Sequence, residues 1–196
     1  MFSSSFECHP TSRMRPEFNA PTYLFSYDWH CFRWRLDKSY DDQHRHYLCR
    51  SPLAASILKV KLLNYPHLEK NVLVDSAGTH TINVGETVPP KLVKAAYSKG
   101  YCIEHHKSRE IAGADFLIFD FILAMDWDVL AILQRQSPKK YLYKLHLLMR
   151  FASNSVAANV PDPCEDFSKY KSTLKDLEDA NEGLLDILNN RISKVA

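Results

Sequence analysis

Apolar and polar residues follow each other in regular blocks after about residue 49, and these blocks predict alternating helices and strands. Leu53 and Ile57 follow at helical spacing after Ser51-Pro52, a pair typical of a helix start, with Ser51 as the cap. The other predicted elements are strands at 71–74, 121–124 and 143–149, a glycine turn at 75–79, and helices at 90–98, 112–118, 127–136 and 167–190. This alternation predicts an α/β fold, a four-stranded parallel sheet flanked by helices.

The first 47 residues lack this regular pattern. Residues 37–46, DKSYDDQHRH, are almost wholly polar and are typical of a loop. We therefore divide the chain into an atypical, poorly ordered segment at 1–47 and a folded domain at 48–196.

Composition narrows the classes of partner. The chain has 196 residues, of which 45% are hydrophobic and 24% charged, as in a globular domain. A net charge of +2 is too small to indicate nucleic acid or an anionic membrane surface. No apolar run approaches the roughly 18 residues of a membrane span, and the first 16 residues lack the apolar core of a secretory signal. These features predict a cytoplasmic protein that binds neither nucleic acid nor membrane.

The chain has five cysteines, an odd number with irregular spacing and no CxxC pair. This pattern predicts reduced thiols without a metal site.

Two short segments carry candidate chemistry. Cys49-Arg50-Ser51-Pro52 opens a predicted helix, and the N-terminus of a helix beside an arginine is suited to binding an anion. Asp162 lies between two prolines, which suits a carboxylic acid that is held in place for proton transfer. Each segment also has a purely structural interpretation, a capped helix start for the first and a rigid turn for the second.

Seven motifs connect these segments to one family. CRSP, DSAGT, NVGE, HKSR, FDFILAMD, VPDP and EGLLDIL occur here in the order and spacing of the low-molecular-weight protein tyrosine phosphatases, over about residues 48–190. The chain resembles that family. The resemblance implies hydrolysis of phosphotyrosine-containing proteins or small aryl phosphates through a cysteinyl-phosphate, with no cofactor. The nucleophile of the family stands in a loop of pattern Cys-x5-Arg-Ser/Thr.

The resemblance also implies site residues. Arg50 resembles the arginine that binds phosphate, Asp162 resembles the general acid, and Ser51 resembles the hydroxyl that assists departure of the thiolate. The residues that resemble supports of the loop are Cys49, Ser76 and His106. Ser51 as a simple helix cap and His106 as a surface histidine are the structural alternatives.

The chain departs from the family pattern at the nucleophile. His44 lies six residues before Arg50, where the family has its cysteine, and His46 and Tyr47 replace a glycine and an asparagine of the loop. Imidazole can be phosphorylated, but these three changes together predict loss of catalysis. We therefore expect a family member that is inactive as written, or alternatively a pseudophosphatase that binds phosphate or phosphotyrosine without turnover. An arsenate reductase, which shares the fold, is disfavoured because the two cysteines downstream of Cys49 are far apart in the sequence.

The strand that should precede the loop is also affected. A central parallel strand is a near-continuous apolar run, whereas residues 37–43 are polar. The first strand is therefore predicted to be missing from its usual place. Residues 23–27, YLFSY, are the alternative, and residues 28–43 would then be an insertion.

Overall fold

The structure is a computed structural model, and it describes residues 22–28, 49–79, 84–164 and 166–193. In chain order the elements are β1 Thr22–Asp28, α1 Arg50–Leu62, α2 Pro66–Glu69, β2 Val72–Gly78, α3 Pro90–Tyr97, α4 Gly113–Ile118, β3 Phe121–Ala124, α5 Trp127–Gln136, β4 Leu145–Leu147 and α6 Tyr170–Ile192. Short 3₁₀ turns lie at Lys139–Lys144, Leu148–Phe151 and Phe167–Lys169.

The described strands form one parallel sheet in the order β2-β1-β3-β4. Strand β1 lies inside the sheet, where Leu24 is in register with Val74 on one side and with Phe121 on the other. This central position in the sheet is taken by Thr22–Asp28, which contains the segment 23–27 that the sequence offered as the alternative strand. The division into a poorly ordered segment at 1–47 and a domain from residue 48 stays a prediction, because apart from Thr22–Asp28 the residues before 49 lie outside the described residues.

Helices cover both faces of the sheet, as the alternation of elements predicts. Phe121 and Leu123 of β3 pack in one hydrophobic cluster with residues of α1, α3 and α6. Ile122 and Ala124, on the opposite face, pack in a second cluster with residues of α4 and α5. All four residues of β3 are buried, because a strand covered on both faces exposes neither set of side chains.

Several element bounds differ from the prediction. Helix α1 begins at Arg50 with Cys49 at the cap position, so Ser51 is inside the helix and not its cap. Strand β2 continues through Gly78, where a turn was predicted, because residues 75–78 remain paired with β1. Strand β4 is only three residues long and lies between two 3₁₀ turns. Among the described residues, no helix is both long and apolar enough to cross a membrane.

Candidate functional site

The candidate site lies beyond the carboxyl end of β3, at the start of α1. Parallel α/β sheets bind ligands outside the carboxyl ends of their strands. Strand β3 ends at Ala124, and Asp126 follows as the N-cap of α5, where its Oδ1 accepts a hydrogen bond from the Val129 backbone N at 2.8 Å. The Val160 backbone N donates to the Met125 carbonyl at 2.9 Å, which brings residues 160–163 to the same edge.

Arg50 is the centre of the site. It is the first residue of α1 and is only 4% exposed. Its Nη1 donates to Asp126 Oδ2 at 2.9 Å and to the Val160 carbonyl at 3.0 Å. Because Asp126 is itself fixed as a helix cap, the guanidinium is held in one orientation.

Asp162 lies on the other side of the same guanidinium. Its Oδ2 is 3.4 Å from Arg50 Nε, and its Oδ1 accepts a hydrogen bond from the Cys164 backbone N at 2.7 Å. The residue is 7% exposed. Its turn is tied to α6, because Thr173 Oγ1 donates to the Pro161 carbonyl at 2.9 Å. The structure therefore brings Arg50 and Asp162, 112 positions apart in numbering, to the same edge of the sheet. Their roles in phosphate binding and proton transfer stay predictions.

Arg50 is the positively charged group of this site, and the carboxylates of Asp126 and Asp162 both lie against it. A buried guanidinium needs acceptors, and here the Asp126 carboxylate and the Val160 carbonyl accept its hydrogen bonds, while the Asp162 carboxylate adds an ion pair at 3.4 Å. The N-terminus of a helix adds its positive dipole end and N–H groups. An incoming phosphoryl group would take over part of this role, because guanidinium binds phosphate and carboxylate oxygens with the same geometry.

Cys49 and Cys164 form a disulfide beside Arg50 and Asp162. The expectation of reduced thiols is therefore wrong for this pair, since two cysteines distant in sequence meet when residues 160–164 pack against the start of α1. The two sulfur atoms and a carboxylate oxygen of Asp162 lie within 4.8 Å of one another. Thiolate sulfur is a metal ligand and disulfide sulfur is a poor one, so the pair in its bonded form does not provide a metal site.

Ser76 and His106, predicted to support the loop, lie next to each other. Ser76 Oγ is 3.5 Å from His106 Nδ1, a long contact for a hydrogen bond. Burial lowers the pKa of His106 to about 4, with a further lowering by Lys59 that is opposed by Asp75. The imidazole is therefore neutral near pH 7, and it is partly buried and not the surface histidine of the structural alternative.

The remaining predicted residues divide into two groups. Ser51 is 1% exposed in the first turn of α1, next to Arg50. His44, in the nucleophile position, and the loop residues His46 and Tyr47 lie outside the described residues. The structure therefore brings together the arginine and the predicted acid, while their relation to residue 44 stays a prediction.

Sequence reasoning missed two features of the site. Asp126, which holds Arg50, was noted only as the end of the FDFILAMD motif; an acidic residue between an apolar strand and a helix was the available signal. Cys164 was considered only as one of the two cysteines downstream of Cys49. Its position two residues after Asp162, with Cys49 directly before Arg50, was the signal for the pair.

Comparison with known proteins agrees with this geometry. A sequence model of the family described as "Low molecular weight phosphotyrosine protein phosphatase" matches residues 46–194. A low molecular weight phosphotyrosine protein phosphatase 2 of Drosophila melanogaster is 32% identical over 123 residues, which cover 62% of this chain and 73% of that protein. A low molecular weight phosphotyrosine protein phosphatase of Schizosaccharomyces pombe is 29% identical over 116 residues, 59% of this chain and 74% of that protein. The crystal structure of a protein tyrosine phosphatase from Entamoeba histolytica superimposes with a TM-score of 0.72 at 28% identity, covering 87% of this chain and 98% of the other.

Proposed function

The chain belongs to the low molecular weight phosphotyrosine protein phosphatase family, and on that premise we propose that its site binds the phosphoryl group of phosphotyrosine in proteins or of small aryl phosphates. One observation supports this most directly. The guanidinium of Arg50 is buried at the start of α1, where its hydrogen bonds to Asp126 and to the Val160 carbonyl fix its orientation. The related Entamoeba histolytica phosphatase holds Hepes in its active site, which fits a site that accepts a tetrahedral anion.

The second part of the proposal concerns turnover, which we expect to be negligible. Attack on phosphorus requires a nucleophile six residues before Arg50, and this chain has His44 there. We assign the acid role to Asp162, because its carboxyl group would lie beside a phosphoryl group held by Arg50. The chain therefore keeps groups for binding and protonation without the family's thiolate, as in a pseudophosphatase. No cofactor is needed for either role.

Equilibrium titration with phenylphosphonate, a non-hydrolysable aryl phosphate analogue, tests the binding part. Arg50→Lys should weaken binding by about tenfold or more, because an ammonium group cannot form two parallel hydrogen bonds to the phosphoryl oxygens. Arg135→Lys is the matched control, since Arg135 is exposed in the last turn of α5. Equal affinity of the wild-type and Arg50→Lys proteins would refute Arg50 as the anion-binding residue.

Hydrolysis of p-nitrophenyl phosphate tests the turnover part. We expect a rate far below the ordinary enzyme range of roughly 1–10³ s⁻¹. Turnover in that range, together with a phosphorylated His44 peptide in the mass spectrum, would instead establish the imidazole as a nucleophile. The cytoplasmic location belongs to the same proposal, and subcellular fractionation tests it.

A further inference from the structure

The disulfide between Cys49 and Cys164 joins the two halves of the candidate site. Cys49 is at the cap position of α1, directly before Arg50, and is fully buried. Cys164 lies two residues after Asp162 and is partly buried. Their Cα atoms are 6.2 Å apart, within the range of roughly 4.4–6.8 Å that a disulfide spans without backbone movement. The cross-link therefore fits the backbone as it stands.

We propose that this disulfide is a redox latch that controls access of anions to Arg50. In the oxidised chain the bond fixes Cys164 against the start of α1. The Cys164 backbone N donates to Asp162 Oδ1 at 2.7 Å, and Asp162 Oδ2 lies 3.4 Å from Arg50 Nε. Fixing Cys164 thus holds the Asp162 carboxylate on the guanidinium, where it competes with a phosphoryl group.

Reduction removes the covalent restraint on the Asp162 turn. The residues around this turn have weaker anchors of their own: Val160 is hydrogen-bonded to Met125, and Pro161 to Thr173. Once Cys164 is released, Asp162 can move away from Arg50 while Val160 stays in place. The guanidinium then keeps its bonds to Asp126 and the Val160 carbonyl and gains room for a phosphoryl oxygen.

The chemistry of the latch is thiol–disulfide exchange with a small thiol such as glutathione. The thiolate attacks the Cys164 sulfur, the less buried of the two, and the Cys49 sulfur leaves and takes up a proton. The positive end of a helix favours a departing thiolate, and Cys49 is at the start of α1. A second thiol releases Cys164 as its thiol and forms the small-molecule disulfide. In the opposite direction, hydrogen peroxide oxidises the two thiols to the disulfide and yields two molecules of water.

The effect on anion binding rests on the proposed function, whereas the mobility of the Asp162 turn does not, so both are measured. The full chain is prepared oxidised with hydrogen peroxide or reduced with dithiothreitol, and peptide mapping confirms the state of the Cys49–Cys164 pair. We expect faster amide hydrogen exchange at residues 162–164 after reduction. We also expect reduction to increase the affinity for inorganic phosphate and phenylphosphonate by at least about tenfold, because the Asp162 carboxylate no longer competes for Arg50.

Cys164→Ser is the control, because it cannot form this bond and still carries the other cysteines. Its affinity should match that of the reduced wild type and should not change with dithiothreitol. Cys49→Ala removes the same bond, and its amide exchange at residues 162–164 should match that of the reduced wild type and should not change with dithiothreitol. This second variant guards against failure of either single variant to fold.

The results distinguish a redox latch from a static cross-link and from a metal site. Equal hydrogen exchange and equal affinity in the oxidised and reduced wild type would overturn the latch and leave a static cross-link. A second outcome separates the latch from the proposed function. If reduction of the wild type speeds amide exchange at residues 162–164, but neither the reduced wild type nor Cys164→Ser binds phosphate, the latch stands and the proposed function fails. Stoichiometric Zn²⁺ binding by the reduced wild type, lost in Cys164→Ser, would make the pair a metal site and overturn the redox assignment.

Discussion

Gly183 in α6 lies where an added carbon atom would collide with neighbouring backbone. A Cβ placed there would lie 2.0 Å from the carbonyl oxygen of Phe151 and 3.1 Å from its carbonyl carbon. Favourable non-bonded contacts lie at about 3.5–4.0 Å. Helix α6 and the 3₁₀ turn at Leu148–Phe151 would therefore have to separate by more than about 1 Å. Both partners are backbone, so no side chain can rotate away.

The expected cost of Gly183→Ala follows from two opposing effects. Alanine in a helix interior is favoured over glycine by about 1 kcal/mol. Overpacking in a close-packed region costs about 1–3 kcal/mol and sometimes more, and rigid backbone on both sides favours the upper end. We expect the free energy of unfolding to fall by about 2 kcal/mol, a large part of a typical 5–15 kcal/mol.

Urea denaturation followed by circular dichroism measures this change, with the disulfide state held constant. The midpoint should fall while the slope of the transition stays the same, because the substitution leaves the surface area newly exposed on unfolding unchanged. Gly113→Ala is the matched control: Gly113 is the first residue of α4, and nothing lies within 4 Å of its added Cβ. The control should stay within about 0.5 kcal/mol of wild type or be slightly stabilised. A Gly183→Ala protein as stable as wild type would refute the packing argument.

Three further predictions concern buried polar groups. His106 has its pKa lowered to about 4 from an ordinary 6.5, so the unfolded state binds more protons between these values and stability falls as pH falls through that window. Between pH 7 and pH 4 the free energy of unfolding should fall by up to about 3 kcal/mol in the wild type and in His105→Asn, and this fall should be absent in His106→Asn. The same dependence of stability on pH in all three proteins would contradict this prediction. Lys144→Met should cost about 1–3 kcal/mol in urea denaturation, because the buried Nζ donates to two carbonyls at the end of α4, and an unchanged midpoint would refute that role. Asp126→Ala should lower the free energy of unfolding by about 1 kcal/mol more than Asp126→Asn, because asparagine can still accept the cap bond from the Val129 N; equal losses would show that the cap contributes nothing.

The local sequence pattern was sufficient to predict elements that are marked by a few consecutive residues. The run Phe121–Ala124 is a strand because every residue in it is apolar and every one is buried. The helix start beside Arg50 was predictable from Ser51-Pro52, although the cap lies at Cys49 and not at Ser51. A proline near the first helical position marks the region of a helix start more reliably than its first residue.

Long-range pairing could not be predicted in the same way. Residues 22–28 become a strand because they pair with β2 and β3, whose residues lie 50 to nearly 100 positions further along the chain. The contact of Cys49 with Cys164 spans 115 residues. Such contacts depend on how the elements pack and leave no periodic signal in the sequence. Within the site, the motifs located Arg50 and Asp162, but only the fold showed that Asp126 holds the arginine.

The position of β1 has a consequence for how this chain can be divided. The residues that match the family begin at 46, yet β2 and β3 are not neighbours and are joined only through Thr22–Asp28. A protein expressed from residue 46 would lack the strand between β2 and β3. Each of these two strands, about 5 Å from the missing backbone, would then have an unpaired edge. Unpaired edges of that kind recruit strands from other molecules. We therefore expect a protein that begins at residue 46 to be less stable, and more prone to self-association, than one that includes Thr22–Asp28.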